Sequence, residues 1–451
     1  MLCAVLTAGT IDEFFRSDFT GADCVEVRLD YLKNPDEAAT VSWTRLGVPV
    51  IATCRRQQRG GLFDGTVEQE RRILECAVRG GAAYVDMDYR DARPFAGAQL
   101  IGSFHDFEQT ASDLHTHLQT ACAGPAQIAK VATMVRSWSD NRYLLQLLDK
   151  TWAKPVIVTG MGEMGQIIRL AGPSRGSFLT YAALPPHQGA SAPGQLSVSD
   201  MVDVYRYRRI RRSTRLFGVV GNPVSHSLGP LRHNAAFDKA GVDCAYMKFL
   251  VTDVADFFLN AAAIGIAGFS VTMPHKIAVM PFLSEISAAA RDVGAVNTVV
   301  RSAAGWFGDN TDVDGVRAAL DSIGFDPAGK RVVIMGNKGA AKAAAAALKT
   351  AASVRMLSRA EVSEASREQC DLLVNATPVG MVPDSDASPL AGDVPADVVF
   401  DMVYNPPVTR LLETAKQAGK TVIAGTIMYA AQAARQFEIW TGDTAPPGVY
   451  T

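Results

Sequence analysis

The sequence predicts an α/β protein built from an N-terminal (β/α)8 barrel and a second α/β half that contains a doubly wound unit. Eight short apolar segments rich in β-branched residues precede residue 190. Helical periodicity fills most of the gaps between them, as in "GTVEQERRILECAVRG". After "YRYRRIRRS" a second series of alternating strands and helices begins. A chain of 451 residues also exceeds the usual size of one core.

The bulk composition narrows the classes of function. A net charge of -2 lacks the basic excess that nucleic-acid binding needs, so we expect small-molecule substrates instead. The seven cysteines are scattered without a C-x-x-C pair, which favours neither a disulfide framework nor a metal site. The start "MLCAVLTAGT" does not resemble a signal peptide, and no segment is long enough to span a membrane. We expect a cytoplasmic protein with no membrane partner, and the oligomeric state stays open.

The eight predicted barrel strands carry polar residues where they end. The strands are predicted at "LCAVLT", "CVEVRLD", "VPVIATC", "AAYVDMD", "AQLIGSF", "QIAKVAT", "PVIVTGM" and "GSFLTYAAL". At or just after several of their ends stand Glu26, Arg28, Arg55, His105, Lys130 and Arg169. The carboxyl ends of barrel strands form the face that carries active sites, so we expect these side chains to share one site.

Lys130 and His105 are the candidates for chemistry in this half. A lysine inside the apolar segment "QIAKVAT" is costly unless it is paired or deprotonated, and a neutral amine can attack a ketone to form a Schiff base. His105 in "SFHDF" can transfer protons near neutral pH. Each residue alone is more often structural, and only their shared position at the barrel mouth favours catalysis.

The boundary between the halves is predicted near residue 213. Six arginines fall within residues 206–215, a run more typical of a solvated last helix leading into a linker than of a polyanion site. Beyond it we expect an α/β domain over 214–325 and a doubly wound domain over 326–425. A final helix within 426–451 is expected to complete the first of these two domains.

The second half has its own set of polar residues at strand ends and turns. "NPVSHSL" supplies Ser225 and Ser227, and "SVTMPHK" ends a strand with Thr272 and Lys276. Further along the chain, "AVNT" and "GDNTDVDG" supply Asn297 and Asp312. Any one of these residues could belong to an ordinary turn.

The segment "VVIMGNKGAAKAAAAALKT" has the order strand, glycine turn and helix that is typical of a dinucleotide loop, but its G-x-G-x-x-G pattern is broken. Gly336 and Gly339 are present, whereas Lys338 replaces the second glycine. At the end of the next strand, "SVRMLSRAE" offers Ser358 and Arg359 without a carboxylate, which favours NADP over NAD. Glu361 follows closely and leaves NAD as the alternative.

The first half resembles the type I dehydroquinate dehydratases in the segments "VEVRLD", "ATCR", "SFHDF", "IAKVAT", "IIRLAGPSRGSFLTYAAL" and "ASAPGQLSV". The resemblance covers nearly all of residues 1–205. It implies that Lys130 forms an imine with the substrate ketone and that His105 moves the proton next to it. Arg169 is then expected to clamp the substrate carboxylate. The other expected substrate contacts are Glu26, Arg28, Arg55, Ser191 and Gln195.

One position departs from that family. The family commonly has a glutamate four residues after the arginine of "CR", directed toward the histidine, and this sequence has Arg59 there. A cation near His105 would favour its neutral form, while the usual orienting partner is lost. Asp106 is the neighbouring carboxylate that could take over this task.

The second half resembles the shikimate dehydrogenases over residues 217–442, through "SHS", "VTMPHK", "AVNT", "NTD", "NATPVGM", "FDMVYNPPVT" and "AAQAARQF". The resemblance implies that Lys276 and Asp312 serve the carbonyl oxygen as an acid and base pair. It assigns the substrate carboxylate to Ser225 and Ser227, and it assigns the ring hydroxyls to Thr272, Asn297 and Gln432. The expected NADP contacts are Gly336, Asn337, Lys338, Gly339, Ala340, Ser358, Arg359, Asn375 and Thr377.

Together the two resemblances imply two consecutive steps on 3-dehydroquinate, 3-dehydroshikimate and shikimate. The fold class they imply is a TIM barrel followed by an α/β substrate domain and a Rossmann-type NADP domain. Two alternatives stay open: a quinate or shikimate dehydrogenase that prefers NAD, and a sensor that binds these metabolites without turning them over. The relatives usually read G-A-G-G-A at the glycine turn, so we expect an atypical loop in which Lys338 reaches a cofactor phosphate.

Overall fold

The structure is a computed structural model that describes residues 1–184, 192–362, 369–390, 392 and 394–450. Ser191, one of the expected substrate contacts, lies outside these residues. The chain forms two compact units, namely Met1–Leu216 with Asp243–Ile266, and Phe217–Val242 with Ala267–Thr451.

The first unit contains an eight-stranded parallel sheet in the order β7-β6-β5-β4-β3-β2-β1-β8. Its strands are β1 (Leu2–Leu6), β2 (Cys24–Arg28), β3 (Val50–Thr53), β4 (Tyr84–Asp88), β5 (Gln99–Asp106), β6 (Ile128–Met134), β7 (Val156–Met161) and β8 (Thr180–Ala183). All eight predicted strands are present. Strands β7 and β8 share no ladder, but a bridge joins Val156 to Ser177 just before β8, so the barrel is nearly closed.

The helices of this unit are α1 (Ile11–Arg16), α2 (Val67–Arg79), α3 (Leu114–Ala123), α4 (Trp138–Leu148) and α5 (Gln166–Ala171). Capping boxes begin α2 at Thr66 and α4 at Ser137, where a side-chain oxygen accepts from the first-turn backbone. Five of the seven gaps between strands contain one of these helices, as expected for most of them, and the other two do not. Only 3-10 turns lie between β2 and β3, and residues 89–98 between β4 and β5 contain no helix.

The end of the first unit also differs from the prediction of a last solvated helix. Residues Asp200–Val204 form a π-helical turn, and within the arginine run only Tyr207–Arg209 is helical, as a 3-10 turn. Two of the exposed arginines are held by acidic partners, since Arg208 pairs with Asp23 and Arg212 with Asp149. This pairing supports the structural interpretation of the run.

The lower layer of the barrel is filled by apolar side chains. The buried members of this cluster are Cys3, Val5, Cys24, Ile51, Ile101, Ile128, Ile157, Leu179 and Tyr181. The polar residues of β3 to β6 stand toward the carboxyl ends of the same strands, with Ser103 in register with Lys130. The barrel interior is therefore a packed apolar core in its lower layer and becomes polar toward the carboxyl ends of the strands.

Strand β10 (Cys244–Leu250) and helix α7 (Val254–Ile264) belong to the same compact unit as the barrel. Trp138 of α4 is fully buried and lies edge-on to the rings of Phe249 and Phe257. Its indole Nε1 donates to Leu250 O at 3.1 Å, and Ser139 Oγ donates to Asp256 at 2.7 Å. These ring contacts and the hydrogen bonds at their edge thus hold α7 against α4.

A six-stranded sheet has the order β10-β9-β11-β13-β14-β12. The remaining strands are β9 (Arg215–Gly221), β11 (Ile266–Val271), β12 (Glu285–Ile286), β13 (Thr298–Ser302) and β14 (Gly305–Asp309). Strand β13 runs antiparallel to both β11 and β14. The sequence did not predict β12 or β14. The helices here are α6 (Gly229–Ala240), α8 (Ala288–Val293) and α9 (Asp312–Asp321).

A five-stranded parallel sheet in the order β16-β15-β17-β18-β19 forms the doubly wound part. Its elements are β15 (Arg331–Met335), α10 (Gly339–Ala347), β16 (Ser353–Leu357), β17 (Cys370–Asn375), β18 (Ala396–Asp401), α11 (Arg410–Gln417), β19 (Thr421–Ala424) and α12 (Gly425–Thr441). The strand order reverses beside β15, and ligands of such folds bind at the carboxyl ends around that point. Helix α12 returns to the six-stranded sheet, where Trp440 Nε1 donates to Val299 O.

Candidate active sites

A pocket of about 470 Å3, including its open mouth, lies at the carboxyl ends of the barrel strands. All the residues expected at this site, except the undescribed Ser191, line it: Glu26, Arg28, Arg55, His105, Lys130, Arg169 and Gln195. Strands β2, β5 and β6 and helix α5 supply most of them, and Arg55 follows β3. The structure therefore brings together side chains that are up to 169 positions apart in the sequence.

Lys130 is buried in this pocket and paired. Its Nζ donates to Asp86 Oδ2 at 2.7 Å and to the hydroxyl of Tyr181 at 2.9 Å. Asp86 Oδ1 accepts from Arg55 at 2.8 Å and from Ser103 at 2.7 Å. Burial alone would raise the pKa of Asp86, but Lys130 and Arg55 lower it below its usual value. The lysine therefore has a counter-ion that is ionised at neutral pH.

Asp86 was missed in the sequence. A signal for it existed, because a lysine buried in an apolar strand requires an anion, and "YVDMDY" ends another predicted barrel strand with alternating carboxylates. Residues two apart in a strand share a face, so sequence reasoning does not decide which of Asp86 and Asp88 contacts Lys130.

His105 is held by stacking. Its imidazole has no hydrogen bond to any residue that the structure describes, and it lies nearly parallel to the ring of Phe107, with centroids 5.8 Å apart. The Phe107 ring in turn covers Gly60, where a Cβ atom would come within 2.1 Å of Cε2. Burial, followed by Arg55 and Lys130, lowers the pKa of His105 well below its ordinary value. The ring is thus neutral and able to accept a proton.

Arg59, which stands at the position of the missing glutamate, and Asp106, the carboxylate that could replace it, both lie in other contacts. Arg59 Nε is 3.2 Å from Asp88 Oδ2, an ion pair without hydrogen-bond geometry, and its NH2 lies 3.5 Å from Asp91. Asp106 Oδ1 accepts from the backbone N–H groups of Glu108 and Gln109. Asp106 therefore caps its own turn.

Arg169 has hydrogen-bond donors to spare. Its side chain is 1% exposed, and its Nε and NH2 have no partner among the described residues, while NH1 is 3.4 Å from Tyr181 O. Burial lowers the pKa of Arg169 to about 10, so the group stays cationic at neutral pH. A buried guanidinium with free donors facing a pocket is suited to a bidentate carboxylate.

The other polar residues of the pocket are already oriented by neighbours. Arg28 forms a two-pronged contact with Asp30 at 2.9 and 2.7 Å, and Glu26 Oε1 accepts from Thr53 at 2.7 Å. The side chain of Gln195 accepts from the backbone of residue 192 at 3.3 Å. These contacts restrict the rotamers of groups that would otherwise pay entropy on binding.

The second site is centred on Lys276 and Asp312. Lys276 Nζ lies 2.6 Å from Asp312 Oδ2, and Asn297 Nδ2 donates to Asp312 Oδ1 at 2.8 Å. Asn297 is fixed in turn, because its Oδ1 accepts from the backbone N–H of Thr311 at 2.9 Å. The pair is partly exposed, so an ammonium group held in a fixed place can be reached by a substrate.

The remaining expected residues surround this pair. The hydroxyl of Thr311 donates to Gln432 Oε1 on α12 at 3.4 Å, which connects the last helix to the network. Thr272 stands at the end of β11, four residues before Lys276. Ser225 is exposed, and Ser227 Oγ accepts from the N–H of Gly229 at the start of α6. The hydrogen-bonded network thus includes Lys276, Asp312, Asn297 and Gln432.

Tyr404 was not predicted as a site residue. Its ring stacks on Tyr429 with centroids 4.5 Å apart. Burial, and then the charge of Asp312, raises its pKa. The quoted motif "FDMVYNPPVT" contains this tyrosine, so the signal was present in the sequence.

The glycine turn after β15 has the shape of a nucleotide loop. Gly336 has a φ of +117°, and a Cβ there would lie 3.1 Å from Ala376 O, so this position requires glycine. Lys338 has a φ of -95°, which any residue adopts, and it precedes α10. A Cβ on Gly339 would lie 3.8 Å from Cδ of Lys276. The turn therefore stands next to the catalytic candidate of the second site.

The carboxyl ends of β17 and β16 complete this region. Asn375 Nδ2 donates to Asp401 at 2.9 Å, and Thr377 donates to Asn375 Oδ1 from both its N–H and its hydroxyl. After β16, Ser358 donates to Glu361, and Arg359 is exposed. The tight glycine turn, the helix N-terminus and the exposed arginine fit a phosphorylated dinucleotide.

The described residues contain no group of three or more potential metal ligands. No helix in the described part of the chain is long and apolar enough to cross a membrane.

Comparison with known proteins gives two family matches. Residues 3–212 match the family described as type I 3-dehydroquinase, and residues 219–299 match the shikimate dehydrogenase substrate-binding domain. The whole chain is 32% identical to the bifunctional 3-dehydroquinate dehydratase/shikimate dehydrogenase, chloroplastic, of Arabidopsis thaliana, and it covers 83% of that protein.

Relatives of the second half alone are also found. Over 53% of this chain and 94% of its own length, the NADP(+) shikimate dehydrogenase of Citrifermentans bemidjiense is 40% identical. A crystal structure of the Thermus thermophilus shikimate 5-dehydrogenase with NADP(H) and shikimate is 31% identical, with a TM-score of 0.47 over 52% of this chain and 97% of that one. The chain belongs to the family of bifunctional 3-dehydroquinate dehydratase/shikimate dehydrogenases.

Proposed function

We propose that the protein dehydrates 3-dehydroquinate to 3-dehydroshikimate in its barrel and reduces 3-dehydroshikimate to shikimate with NADPH in its second half. The observation that carries the proposal is that each half holds its own lysine beside a carboxylate. Lys130 pairs with Asp86 in the barrel, and Lys276 pairs with Asp312 in the other site. The full-length relative with both activities in its name supports the combination.

In the barrel, Lys130 is the nucleophile. Its amine, after transfer of a proton, adds to the substrate ketone, and loss of water gives an imine that acts as an electron sink. Neutral His105 then removes the proton from the adjacent carbon and returns a proton to the departing hydroxyl, which leaves as water. Hydrolysis of the imine releases the product and restores the amine. The unpaired donors of Arg169 hold the substrate carboxylate.

In the second site, Lys276 supplies the proton. NADPH, when bound at the glycine turn, supplies a hydride to the substrate ketone. Lys276 donates a proton to the oxygen that becomes the alcohol, and Asp312 keeps the ammonium in place at 2.6 Å. Asn297 fixes the second oxygen of Asp312. Ser225 and Ser227 are assigned to the substrate carboxylate, and Thr272 and Gln432 to its hydroxyls.

The domain limits expected from the sequence, 1–213, 214–325 with the last helix, and 326–425, are part of this proposal, as is a cytoplasmic location. The domain limits are supported by the second series of alternating strands and helices, which begins near residue 213. The cytoplasmic location is supported by the cysteines, which are scattered and include no C-x-x-C pair.

The test uses the full chain with one lysine replaced at a time. Lys130→Ala should abolish dehydration and covalent trapping of the substrate by borohydride, and it should leave reduction of added 3-dehydroshikimate intact. Lys276→Ala should do the reverse. Loss of both activities in either folded variant would contradict two independent sites. Assays with quinate and with NAD separate the quinate dehydrogenase alternative, and binding without turnover would identify a sensor.

A further inference from the structure

The carboxylate of Glu361 is bound to the end of strand β16. Its Oε2 accepts from the backbone N–H of Ser358 at 2.9 Å and from the Ser358 hydroxyl at 2.5 Å. In doubly wound folds the carboxyl end of the second strand is where the adenosine ribose of the dinucleotide lies. Glu361 therefore occupies the place that distinguishes NADP, with its ribose 2′-phosphate, from NAD, with a 2′-hydroxyl.

The donors that hold Glu361 are those of an anion site. A backbone N–H, a hydroxyl and the neighbouring guanidinium of Arg359 are the groups that typically receive a phosphate. Arg359 is exposed and has no ion pair to any described residue. The hydrogen bonds from Ser358 lower the pKa of Glu361, so the carboxylate that accepts from these donors is negatively charged at neutral pH.

We propose that Glu361 is a specificity-determining residue that limits the preference of the second half for NADP over NAD. Its carboxylate takes the Ser358 donors that a 2′-phosphate would use, so NADP has to displace a like charge. NAD has no 2′-phosphate, so the Glu361 carboxylate stays in place and accepts a hydrogen bond from the ribose 2′-hydroxyl. This inference rests on the proposed dehydrogenase function. The charge of Arg359 favours the binding of NADP, and the charge of Glu361 opposes it. Because the two effects offset each other, both nucleotides bind.

The test measures nucleotide binding to the full chain by calorimetry, without turnover. Glu361→Gln should tighten NADP+ binding about tenfold, as expected when one repelling charge beside a phosphate is removed. The affinity for NAD+ should stay within about twofold of that of the parent chain, or decrease. The control is Asp397→Asn, which removes a charge from an 85% exposed side chain on β18. It should change neither affinity by more than about twofold.

A second pair of ligands isolates the ribose. The fragments 2′,5′-ADP and 5′-AMP should show the same contrast, because they differ in the 2′-phosphate alone. An unchanged ratio of NADP+ to NAD+ affinity in Glu361→Gln, with both nucleotides bound, would overturn the inference and leave the proposed function standing. If the parent chain bound neither nucleotide, the proposed dehydrogenase function and this inference would both be overturned.

Discussion

Asp86 Oδ2 lies 2.7 Å from the ammonium group of Lys130, and the other oxygen of the same carboxylate accepts from Arg55. One buried anion thus holds two cations at the barrel mouth. Removal of one member of a buried ion pair leaves the other charge without compensation, which is costly.

Asp86→Asn should therefore destabilise the barrel unit by about 3 kcal/mol or more. Chemical unfolding followed by tryptophan fluorescence, to which Trp43, Trp138 and Trp152 of the barrel unit contribute, measures this loss. Asp88→Asn, on the same strand, is the matched control and should cost less, because Arg90 is 40% exposed and can turn to solvent. Equal losses in the two variants would contradict a special role for Asp86.

The pH dependence of dehydration follows from His105. Burial, then Arg55 and Lys130, lowers its pKa well below the ordinary 6.5, while Asp86 opposes the shift and Arg28 adds to it. A base with a lowered pKa stays neutral until the pH falls below that pKa. We expect kcat/KM for 3-dehydroquinate to stay level as the pH decreases through 6.5 and to fall only at lower pH. A midpoint at or above 6.5, with the chain still folded by circular dichroism, would refute this.

Gly60 is expected to position His105 through Phe107. In Gly60→Ala the new Cβ would lie 2.1 Å from the Phe107 ring, which must move away from the imidazole. We expect kcat for dehydration to fall about tenfold or more, since small misplacements of a catalytic group are costly. Reduction of 3-dehydroshikimate should not change.

The control for that prediction is Gly47→Ala. Gly47 has a φ of +73°, close to the +78° of Gly60, but no atom lies within 4 Å of its added Cβ. It carries the same backbone strain without displacing a ring. If Gly47→Ala slowed dehydration as much as Gly60→Ala, the effect would be strain and not the position of Phe107.

Lys338 is expected to contact the part of the cofactor that NADPH and NADH share. Its exposed side chain precedes α10, whose N-terminus favours anions. Lys338→Ala should weaken both nucleotides by the same factor, about threefold to tenfold. Lys342→Ala, one turn further along α10, should have little effect. Unchanged or tighter binding in Lys338→Ala would show that the lysine is no phosphate ligand.

The strands of the barrel could be predicted because each is a short apolar segment between polar turns. The hairpin strand β14 was missed because "GWFGD" is short and bounded by glycines, and β12 has only two residues. Such strands depend on their partners more than on their own composition. The absent helix after β4 is explained by Pro94 and Gly97 in a connection of only ten residues.

The site residues that lie in the family motifs could be named from the sequence, but their hydrogen-bond and ion-pair partners could not. Asp86 pairs with Lys130 across two strands, at a separation of 44 residues, and no local pattern encodes that pairing. The contact between Glu361 and Ser358 was likewise invisible, although both residues were noticed. The broken glycine pattern causes no backbone strain at Lys338, whose φ of -95° is one that any residue adopts.

The packing of α7 on α4 bears on how the two activities can be taken apart. A gene cut near residue 213 would remove Phe249, Phe257 and Asp256 from Trp138 and Ser139. The truncated barrel would present a bare indole to water, and the severed partner would present two phenyl rings. Natural or engineered fission of this fusion therefore calls for compensating polar replacements on both fragments, beyond a new stop codon.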